Sequence, residues 1–246
     1  MALRPDPGGS VPQTAMVLAA GLGTRMRPLT ATRPKPMVQV AGKPLIDHAL
    51  DRLRAAGVKR AVVNVHYLAD QLEAHLRRTG GIEVVVSNER PRLMETGGGL
   101  VQARAELGPD PFLVVSSDVL WVDGPTDAIR LLASHWDDAR MDVLMLLVPL
   151  ARAHNHEGRG DFHLDARGRI TSLRKPDRVA PFVYTSVQIM SPRVFADAPE
   201  GPFSQMLFWR RAIAAGRAHG MVHQGMWFDV GTPPAIGRTE ALLAHG

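Results

Sequence analysis

The chain has 246 residues, of which 45% are hydrophobic, and it contains no cysteine. This suits one α/β domain with a full-sized core, alone or with a small appendage, and it excludes disulfides, thiolate metal sites and a cysteine nucleophile. Lys and Arg number 29 against 24 Asp and Glu, but the basic residues are scattered and only two Tyr are present, so we expect no nucleic-acid partner.

The first 14 residues, MALRPDPGGSVPQT, lack the apolar stretch of a signal peptide, and we expect them to form a disordered tail. No apolar run elsewhere approaches the roughly 20 residues that span a bilayer, so we expect no membrane partner. A chain without cysteine is typical of a reducing compartment, and we therefore expect a cytoplasmic protein. Both a monomer and a homodimer agree with this length.

Strands and helices alternate through the first 150 residues. Apolar runs rich in Val, Leu and Ile predict strands at residues 16–20, 60–66, 82–87, 112–116 and 142–148. Helical spacing of apolar residues predicts helices at 44–56, 68–78, 98–107 and 126–139. Continuous apolar strands that alternate with helices are typical of a parallel sheet covered on both faces. The predicted fold class is therefore α/β, with a Rossmann-like, doubly wound, mainly parallel sheet.

The remainder of the chain is less regular. Short apolar segments bounded by turn residues predict strands at 161–165, 170–173, 182–190, 220–225 and 227–230. A helix is predicted at 204–215, where apolar residues recur at helical spacing before Gly216. A terminal helix is predicted after Thr232, which is a suitable N-cap before Pro233.

The segment after the first predicted strand is rich in groups that bind phosphate. Two glycines are followed by a hydroxyl, a guanidinium and, ten residues on, an ammonium between two prolines: Gly21, Gly23, Thr24, Arg25 and Lys35. Glycine lets backbone N–H groups approach an anion, and the three side chains supply donors and charge. The segment has neither a Walker A signature nor the third glycine of a dinucleotide fingerprint. It predicts a polyphosphate site at the end of a strand.

The full string at residues 18–36, L-A-A-G-x-G-T-R-x-x-P-x-T-x-x-x-P-K-P, resembles the signature of the sugar-1-phosphate nucleotidyltransferases. This resemblance implies a GT-A-like nucleotidyltransferase fold. It also implies Mg²⁺-dependent transfer of a nucleotidyl group from a nucleoside triphosphate to a sugar 1-phosphate, with release of pyrophosphate. Residues 15–246 would then form one domain, with a nucleotide-binding half at about 15–115 and a sugar-phosphate-binding half at about 116–246.

By the same resemblance, Arg25 and Lys35 are catalytic: Arg25 holds the leaving pyrophosphate and Lys35 stabilises charge on the α-phosphoryl group. The implied nucleotide-binding residues are Leu18, Ala19, Ala20, Gly21, Gly23, Thr24, Arg25, Glu95 and Gly98. The last two belong to an E-T-G-G segment that faces the base and ribose in the family. Three glycines there would leave helix N–H groups open to a ligand. From composition alone, a flexible entry into the helix is the simpler interpretation.

Two aspartates follow predicted strands. Asp118 comes after FLVVSS, and Asp229 stands in WFDVGTP. Each alone could serve as an ordinary turn or cap residue. Ligands of open α/β sheets bind beyond the carboxyl ends of the strands, and Mg²⁺ commonly takes one or two carboxylates together with phosphates and water. The family holds Mg²⁺ through aspartates in matching places, so the resemblance implies Asp118 and Asp229 as metal ligands.

The acceptor site is expected in the second half. The stretch HEGRGDF at residues 156–162 resembles the H-x-x-x-G-D-F segment of the N-acetylmuramate-1-phosphate uridylyltransferases. UTP and N-acetylmuramate 1-phosphate are therefore the favoured substrates, and peptidoglycan sugar recycling is the favoured role. The implied sugar-phosphate-binding residues are Asp161, Lys175 and Thr185. Arg174 and Ser186 depart from the family, which usually has Glu and Gly at these places.

Other functions remain open at this point. The alternatives are a mannose-1-phosphate guanylyltransferase, a glucose-1-phosphate uridylyl- or thymidylyltransferase, and a non-catalytic regulatory module that binds a nucleotide or a sugar. Arg25, Lys35, Asp118 and Asp229 are together more than binding alone requires, which favours an enzyme.

Overall fold

The structure, a computed structural model, describes residues 9–245 of the chain. Residues 1–8 of the predicted tail lie outside this range. The strands are β1 Thr14–Leu18, β2 Gln39–Val40, β3 Lys43–Pro44, β4 Arg60–Val65, β5 Glu83–Asn88, β6 Phe112–Ser116, β7 Val119–Val122, β8 Val143–Pro149, β9 Ala153–His154, β10 Phe162–Leu164, β11 Ile170–Leu173, β12 Phe182–Met190, β13 Ala218–Val222 and β14 Met226–Asp229. The helices are α1 Leu45–Ala56, α2 Ala69–Leu76, α3 Glu95–Gln102, α4 Arg104–Leu107, α5 Ala128–Ser134, α6 Met206–Ala214 and α7 Pro233–His245. None of the described helices combines the length and apolar composition that crossing a membrane requires.

A nine-stranded sheet forms the centre of the molecule. Its main path runs in the order β11-β10-β12-β6-β1-β4-β5, and β8 pairs with β12 and with β13. The strands β6, β1, β4 and β5 are mutually parallel, whereas β12 runs antiparallel to both β6 and β8. The predicted α/β class with a mainly parallel sheet is confirmed for the first half, and the antiparallel β12 joins it to the second half.

The strand order reverses beside β1. The chain places β4 and β5 on one side of β1 and then returns to place β6 on the other side. Leu18 and Ser116, which end these two neighbours, are partners in the register. In open α/β sheets, such a reversal leaves a crevice beyond the carboxyl ends of the strands, and ligands bind there.

Helices cover both faces of the sheet because successive strand residues point to opposite sides. In β1, Val17 packs in one cluster with Leu50 of α1 and other residues of α1, α2 and α5. Met16 packs in a second cluster with Leu100 of α3 and Phe208 of α6. The apolar run that predicted β1 is therefore buried on two faces, which fixes the strand at the middle of the sheet.

A second, three-stranded sheet has the order β7-β14-β9. Strand β7, with the sequence VLWV, was not predicted, since a four-residue apolar run directly after a polar turn is too short to distinguish from a loop. It pairs antiparallel with β14, and Asp229 lies opposite Val119. This pairing brings Asp229 beside the end of β6, although the two are far apart in the sequence.

Several element boundaries differ from the prediction. β1 begins at Thr14, which the sequence assigned to the tail, and the Gln13 carbonyl accepts N–H groups from Lys59 and Arg60 at 2.9 and 3.0 Å. β1 also ends at Leu18, so that the following two alanines belong to the loop. The helix predicted at 126–139 ends at Ser134.

Candidate active site

A cavity of about 300 Å³ opens beyond the carboxyl ends of β1 and β6. It brings together most of the predicted nucleotide-binding and catalytic residues. These are Leu18, Ala19, Ala20, Gly21, Gly23, Thr24, Arg25, Lys35 and Glu95, and the predicted metal ligand Asp118 lies with them. The cavity therefore lies at the edge of the sheet where the reversal in strand order predicts a ligand.

The loop after β1 is shaped to present backbone N–H groups. Gly23 has a φ of 64°, and a Cβ at this position would lie 3.0 Å from both the Lys35 and the Thr30 side chains. Its carbonyl accepts the Thr30 hydroxyl at 2.8 Å, which fixes the turn. Among the described residues, no acceptor receives the N–H groups of residues 21–24. Three of the residues that carry these donors, Gly21, Gly23 and Thr24, line the cavity, and free N–H groups in such a loop can bind phosphate oxygens.

Four charged side chains converge at the same edge. The Lys35 Nζ lies 2.7 Å from the Asp118 Oδ2. A Cβ on Gly231 would lie 2.8 Å from the Asp229 Oδ1 and 2.9 Å from a terminal nitrogen of Arg25, so this glycine leaves room for both side chains. Asp118 and Asp229 stand in segments that are far apart in the sequence, and the pairing of β7 with β14 brings these two segments together.

The negative charge of Asp118 acts on the Asp229 carboxyl. Burial raises the pKa of the Asp229 carboxyl above its ordinary value, and the nearby charge of Asp118 raises this pKa further. The positive charges of Arg25 and Lys35 act in the opposite direction without cancelling the shift. A divalent cation between two carboxylates would relieve this repulsion.

The donors present fit the predicted magnesium ion. Within residues 9–245 no group of three or more His, Cys, Asp or Glu is placed to hold a metal. Mg²⁺ characteristically uses only one or two carboxylates and completes its octahedron with phosphates and water. Asp118 and Asp229 are such a pair beside a cavity with phosphate-binding groups, and their metal role stays a prediction.

Two N–H groups at the start of helix α3, which its three glycines could have left open to a ligand, are already paired. Those of Gly97 and Gly98 donate to the Phe203 carbonyl at 2.7 and 3.1 Å. A Cβ on Gly98 would collide with the Gly201 carbonyl oxygen. The glycines therefore allow the 201–203 backbone to pack against the start of the helix. Gly98 itself lies outside the cavity lining, whereas Glu95 lines it with a left-handed φ of 57°.

The three predicted sugar-phosphate residues also lie outside the lining of this cavity. The Asp161 Oδ2 accepts the Tyr184 N–H at 2.9 Å. Thr185 is fully buried, and its hydroxyl donates to the Leu146 carbonyl at 2.7 Å. Lys175 is exposed in the loop between β11 and β12. Asp161 and Thr185 thus fasten β12 in place, and the predicted sugar contacts of all three residues stay predictions.

Two buried polar residues beside the cavity were missed by sequence reasoning. Asn64 lines the cavity, and its Oδ1 accepts the Ala19 N–H at 2.6 Å. Glu89 follows β5 and accepts the Asn64 amide at 2.8 Å. The available signal was the asparagine inside the apolar run AVVNV, since a polar side chain in a buried strand needs a hydrogen-bond partner.

Comparison with known proteins agrees with this geometry. A model of the family described as nucleotidyl transferase matches residues 14–245. The N-acetylmuramate alpha-1-phosphate uridylyltransferase of Caulobacter vibrioides is 47% identical over 238 residues, which cover 95% of this chain and 98% of the relative. The enzyme of the same name from Neisseria meningitidis is 36% identical, with coverage of 93% and 97%.

The fold is shared with more distant proteins. The structure of the inositol-1-phosphate CTP transferase from T. maritima superposes with a TM-score of 0.79 and covers 96% of each chain. At 17% sequence identity, this likeness concerns the fold alone. It agrees with the predicted nucleotidyltransferase architecture.

Proposed function

The chain belongs to the nucleotidyl transferase family, as its sequence predicted, and from this premise we propose that it transfers a uridylyl group from UTP to N-acetylmuramate 1-phosphate. The convergence of Arg25, Lys35, Asp118 and Asp229 beside four free N–H groups carries the proposal for the chemistry. The two relatives named as uridylyltransferases, each matched over nearly its whole length, support the choice of substrates.

In the proposed reaction, an oxygen of the sugar 1-phosphate attacks the α-phosphorus of UTP. The bond from that phosphorus to the bridging oxygen of the β-phosphate breaks, and pyrophosphate leaves with the electron pair. The attacking oxygen is already anionic at neutral pH, so the reaction needs no strong general base. Catalysis then consists of positioning and charge neutralisation.

The residues of the site divide this task. Arg25 and the N–H groups of residues 21–24 hold the leaving pyrophosphate, and Lys35 stabilises charge on the α-phosphoryl group. Lys35 lies against Asp118, which directs its ammonium to the edge of the sheet. Asp118 and Asp229 would hold Mg²⁺, which supplies further neutralisation of the phosphate charge. Peptidoglycan sugar recycling and a cytoplasmic location agree with these substrates and stay predictions, as does the choice between monomer and homodimer.

Pyrophosphate release tests this proposal. UTP, GTP, dTTP, CTP and ATP are each combined with the 1-phosphates of N-acetylmuramate, N-acetylglucosamine, glucose and mannose in the presence of Mg²⁺. We expect release with UTP and N-acetylmuramate 1-phosphate. If pyrophosphate is released instead with GTP and mannose 1-phosphate, or with UTP or dTTP and glucose 1-phosphate, that pair would replace the proposed substrates. Binding of a nucleotide without turnover in any combination would favour the regulatory module.

Carboxamide variants test the metal assignment. We expect Asp118→Asn and Asp229→Asn each to lower kcat at least about 100-fold, since each removes a negative oxygen ligand from a two-carboxylate site. The matched control is Asp110→Asn, which changes an exposed carboxylate in the loop before β6. Full activity of either site variant in saturating Mg²⁺ would remove that aspartate from the mechanism.

A further inference from the structure

A chain of three hydrogen bonds runs beside the cavity and includes Asn64, which lines it. The Ala19 N–H donates to the Asn64 Oδ1 at 2.6 Å, and the Asn64 Nδ2 donates to the Glu89 Oε1 at 2.8 Å. The Met94 N–H donates to the other carboxylate oxygen, Oε2, at 2.9 Å. We call this chain, from Ala19 through Asn64 and Glu89 to Met94, the Asn64–Glu89 relay.

The relay is deeply buried. Asn64 is 3% exposed and Glu89 is 1% exposed. Among the described residues, the Glu89 carboxylate forms no ion pair, and the two hydrogen bonds that it accepts are those of the relay. A Cβ on Gly99 would lie 2.7 Å from the Glu89 Oε1, so the glycine leaves room for this carboxylate. Removing a carboxylate from water is costly, and an apolar side chain would fill the same space without that cost.

The relay connects two walls of the cavity. Ala19, at one end, lines the cavity in the loop after β1. Met94, at the other end, directly precedes Glu95, which also lines the cavity and holds a left-handed φ of 57°. Backbone in this region is unfavourable for a residue with a side chain, and it persists only where neighbours hold it. Glu89 is the group that fastens the N–H one residue before this strained position.

We propose that Glu89 is a positioning residue that sets the separation of these two walls and thereby the affinity for the nucleoside part of the triphosphate. The proposal rests on the proposed function, in which Arg25, Lys35 and the N–H groups of residues 21–24 occupy the phosphate end of the cavity. Ala19, Asn64 and Glu95 are among the lining residues that then remain for the nucleoside. Glu89 acts through Asn64 and Met94 and touches no substrate itself.

The chemistry of the relay fixes the direction of every bond. Both ends are backbone N–H donors, so the Asn64 carbonyl must face Ala19 and its NH₂ must face Glu89, both of whose oxygens accept. Glu89→Gln places an amide NH₂ opposite either the Asn64 NH₂ or the Met94 N–H, so that two donors face each other. Asn64→Asp places a second carboxylate opposite Glu89, so that two acceptors face each other. The double variant Asn64→Asp/Glu89→Gln restores all three bonds. The carboxylate introduced at position 64 accepts from Ala19 and from the new amide, and the oxygen of that amide accepts from Met94.

Steady-state kinetics with UTP and N-acetylmuramate 1-phosphate test the relay. We expect each single variant to raise the KM for UTP about tenfold or more, the loss typical of one hydrogen bond to a charged group. We expect kcat and the KM for the sugar phosphate to change less than about threefold. The double variant should return the KM for UTP to within about threefold of the wild type. Asn88→Asp, at the exposed end of β5, is the matched control and should change none of these values.

Two outcomes would overturn the proposal. One is a lower melting temperature of the single variants with an unchanged KM for UTP, which shows a purely structural role. The other is a double variant that binds UTP no better than the single variants. Calorimetric titration of all four proteins with each nucleoside triphosphate separates this test from the proposed function, because it needs no turnover. A wild type that binds none of the triphosphates would refute both proposals.

Discussion

Ser186 adopts a conformation that favours glycine. It has a φ of 65° inside β12, at the point where the pairing of this strand with β8 is interrupted between Tyr184 and Gln188. The family usually has glycine there, and the left-handed region costs a residue with a Cβ about 1–2 kcal/mol. The sequence showed the substitution, but the positive φ that explains the family's glycine became visible only in the structure.

We predict that Ser186→Gly raises the free energy of unfolding by up to about 1 kcal/mol, since relief of strain exceeds the extra entropy of a flexible residue. Urea denaturation of the two proteins measures the difference. Ser172→Gly, in the extended strand β11, is the matched control and should lower stability by about 0.5–1 kcal/mol. A loss of stability in both variants would contradict the argument from strain.

At the scale of elements, the start of α3 depends on contact between two backbones. Gly98 donates its N–H to Phe203, and its Cα faces the Gly201 carbonyl oxygen. We predict that Gly98→Ala lowers the free energy of unfolding by about 1–3 kcal/mol, because the new methyl group meets a backbone oxygen that has no rotamer to change. Chemical denaturation measures this loss.

The matched control lies in another helix. Gly237 is inside α7, and a Cβ there would meet no atom within 4 Å. Gly237→Ala should therefore raise stability by up to about 1 kcal/mol, the difference in helix propensity between the two residues. If Gly98→Ala also stabilised the protein, this result would contradict a close contact between Gly98 and the 201–203 backbone.

Elements with long apolar runs were predictable, and so were the short strands β10, β11 and β14, whereas β7 and the two-residue strands β2, β3 and β9 were not. The segment FLVVS predicted β6 with the observed bounds, since a buried parallel strand needs apolar residues on both faces. The antiparallel direction of β12 left no sign in its sequence, because direction depends on the connection and on the neighbours available. β7 and β14 stabilise each other by pairing, and neither segment alone carries a signal of that partner.

At the scale of the whole molecule, the sequence predicted which residues lie together at the cavity where those residues are contiguous. Thr24, Arg25 and Lys35 stand in one segment, and all three line the cavity. The meeting of Asp118 with Asp229 was inferred from the rule for sheet edges and from family resemblance, not from any local pattern. Asn64 and Glu89 were missed, since hydrogen bonds across strands depend on register, which a single sequence leaves undetermined.

Two buried histidines link stability to pH. His219 in β13 is 4% exposed, and His223 just beyond it is 2% exposed. Burial lowers the pKa of both imidazoles below the ordinary value, and the charge of Arg140 lowers the pKa of His219 further. Hydrogen bonds from His223 to the carbonyls of Val122 and Met226 oppose this shift without reversing it.

The sign of the effect follows from proton counting. Unfolded histidine titrates near pH 6.5, whereas these two side chains stay neutral in the fold to lower pH. Below about pH 6.5 the unfolded chain therefore binds more protons, and stability falls as the pH decreases toward the lowered pKa values. Above about pH 6.5 both states hold neutral imidazoles, and this contribution to stability is fully present.

We predict that the free energy of unfolding decreases between about pH 6.5 and 5, and that each histidine contributes a slope of at most about 1.4 kcal/mol per pH unit. His219→Gln/His223→Gln should flatten this part of the profile, since glutamine keeps an N–H donor for the carbonyls and takes up no proton. Denaturation at a series of pH values measures both slopes. His163→Gln, at a partly exposed position of β10, controls for the loss of an imidazole as such. Equal slopes in the wild type and the double variant would show that the carboxylates, not the buried histidines, govern the acid response of the fold.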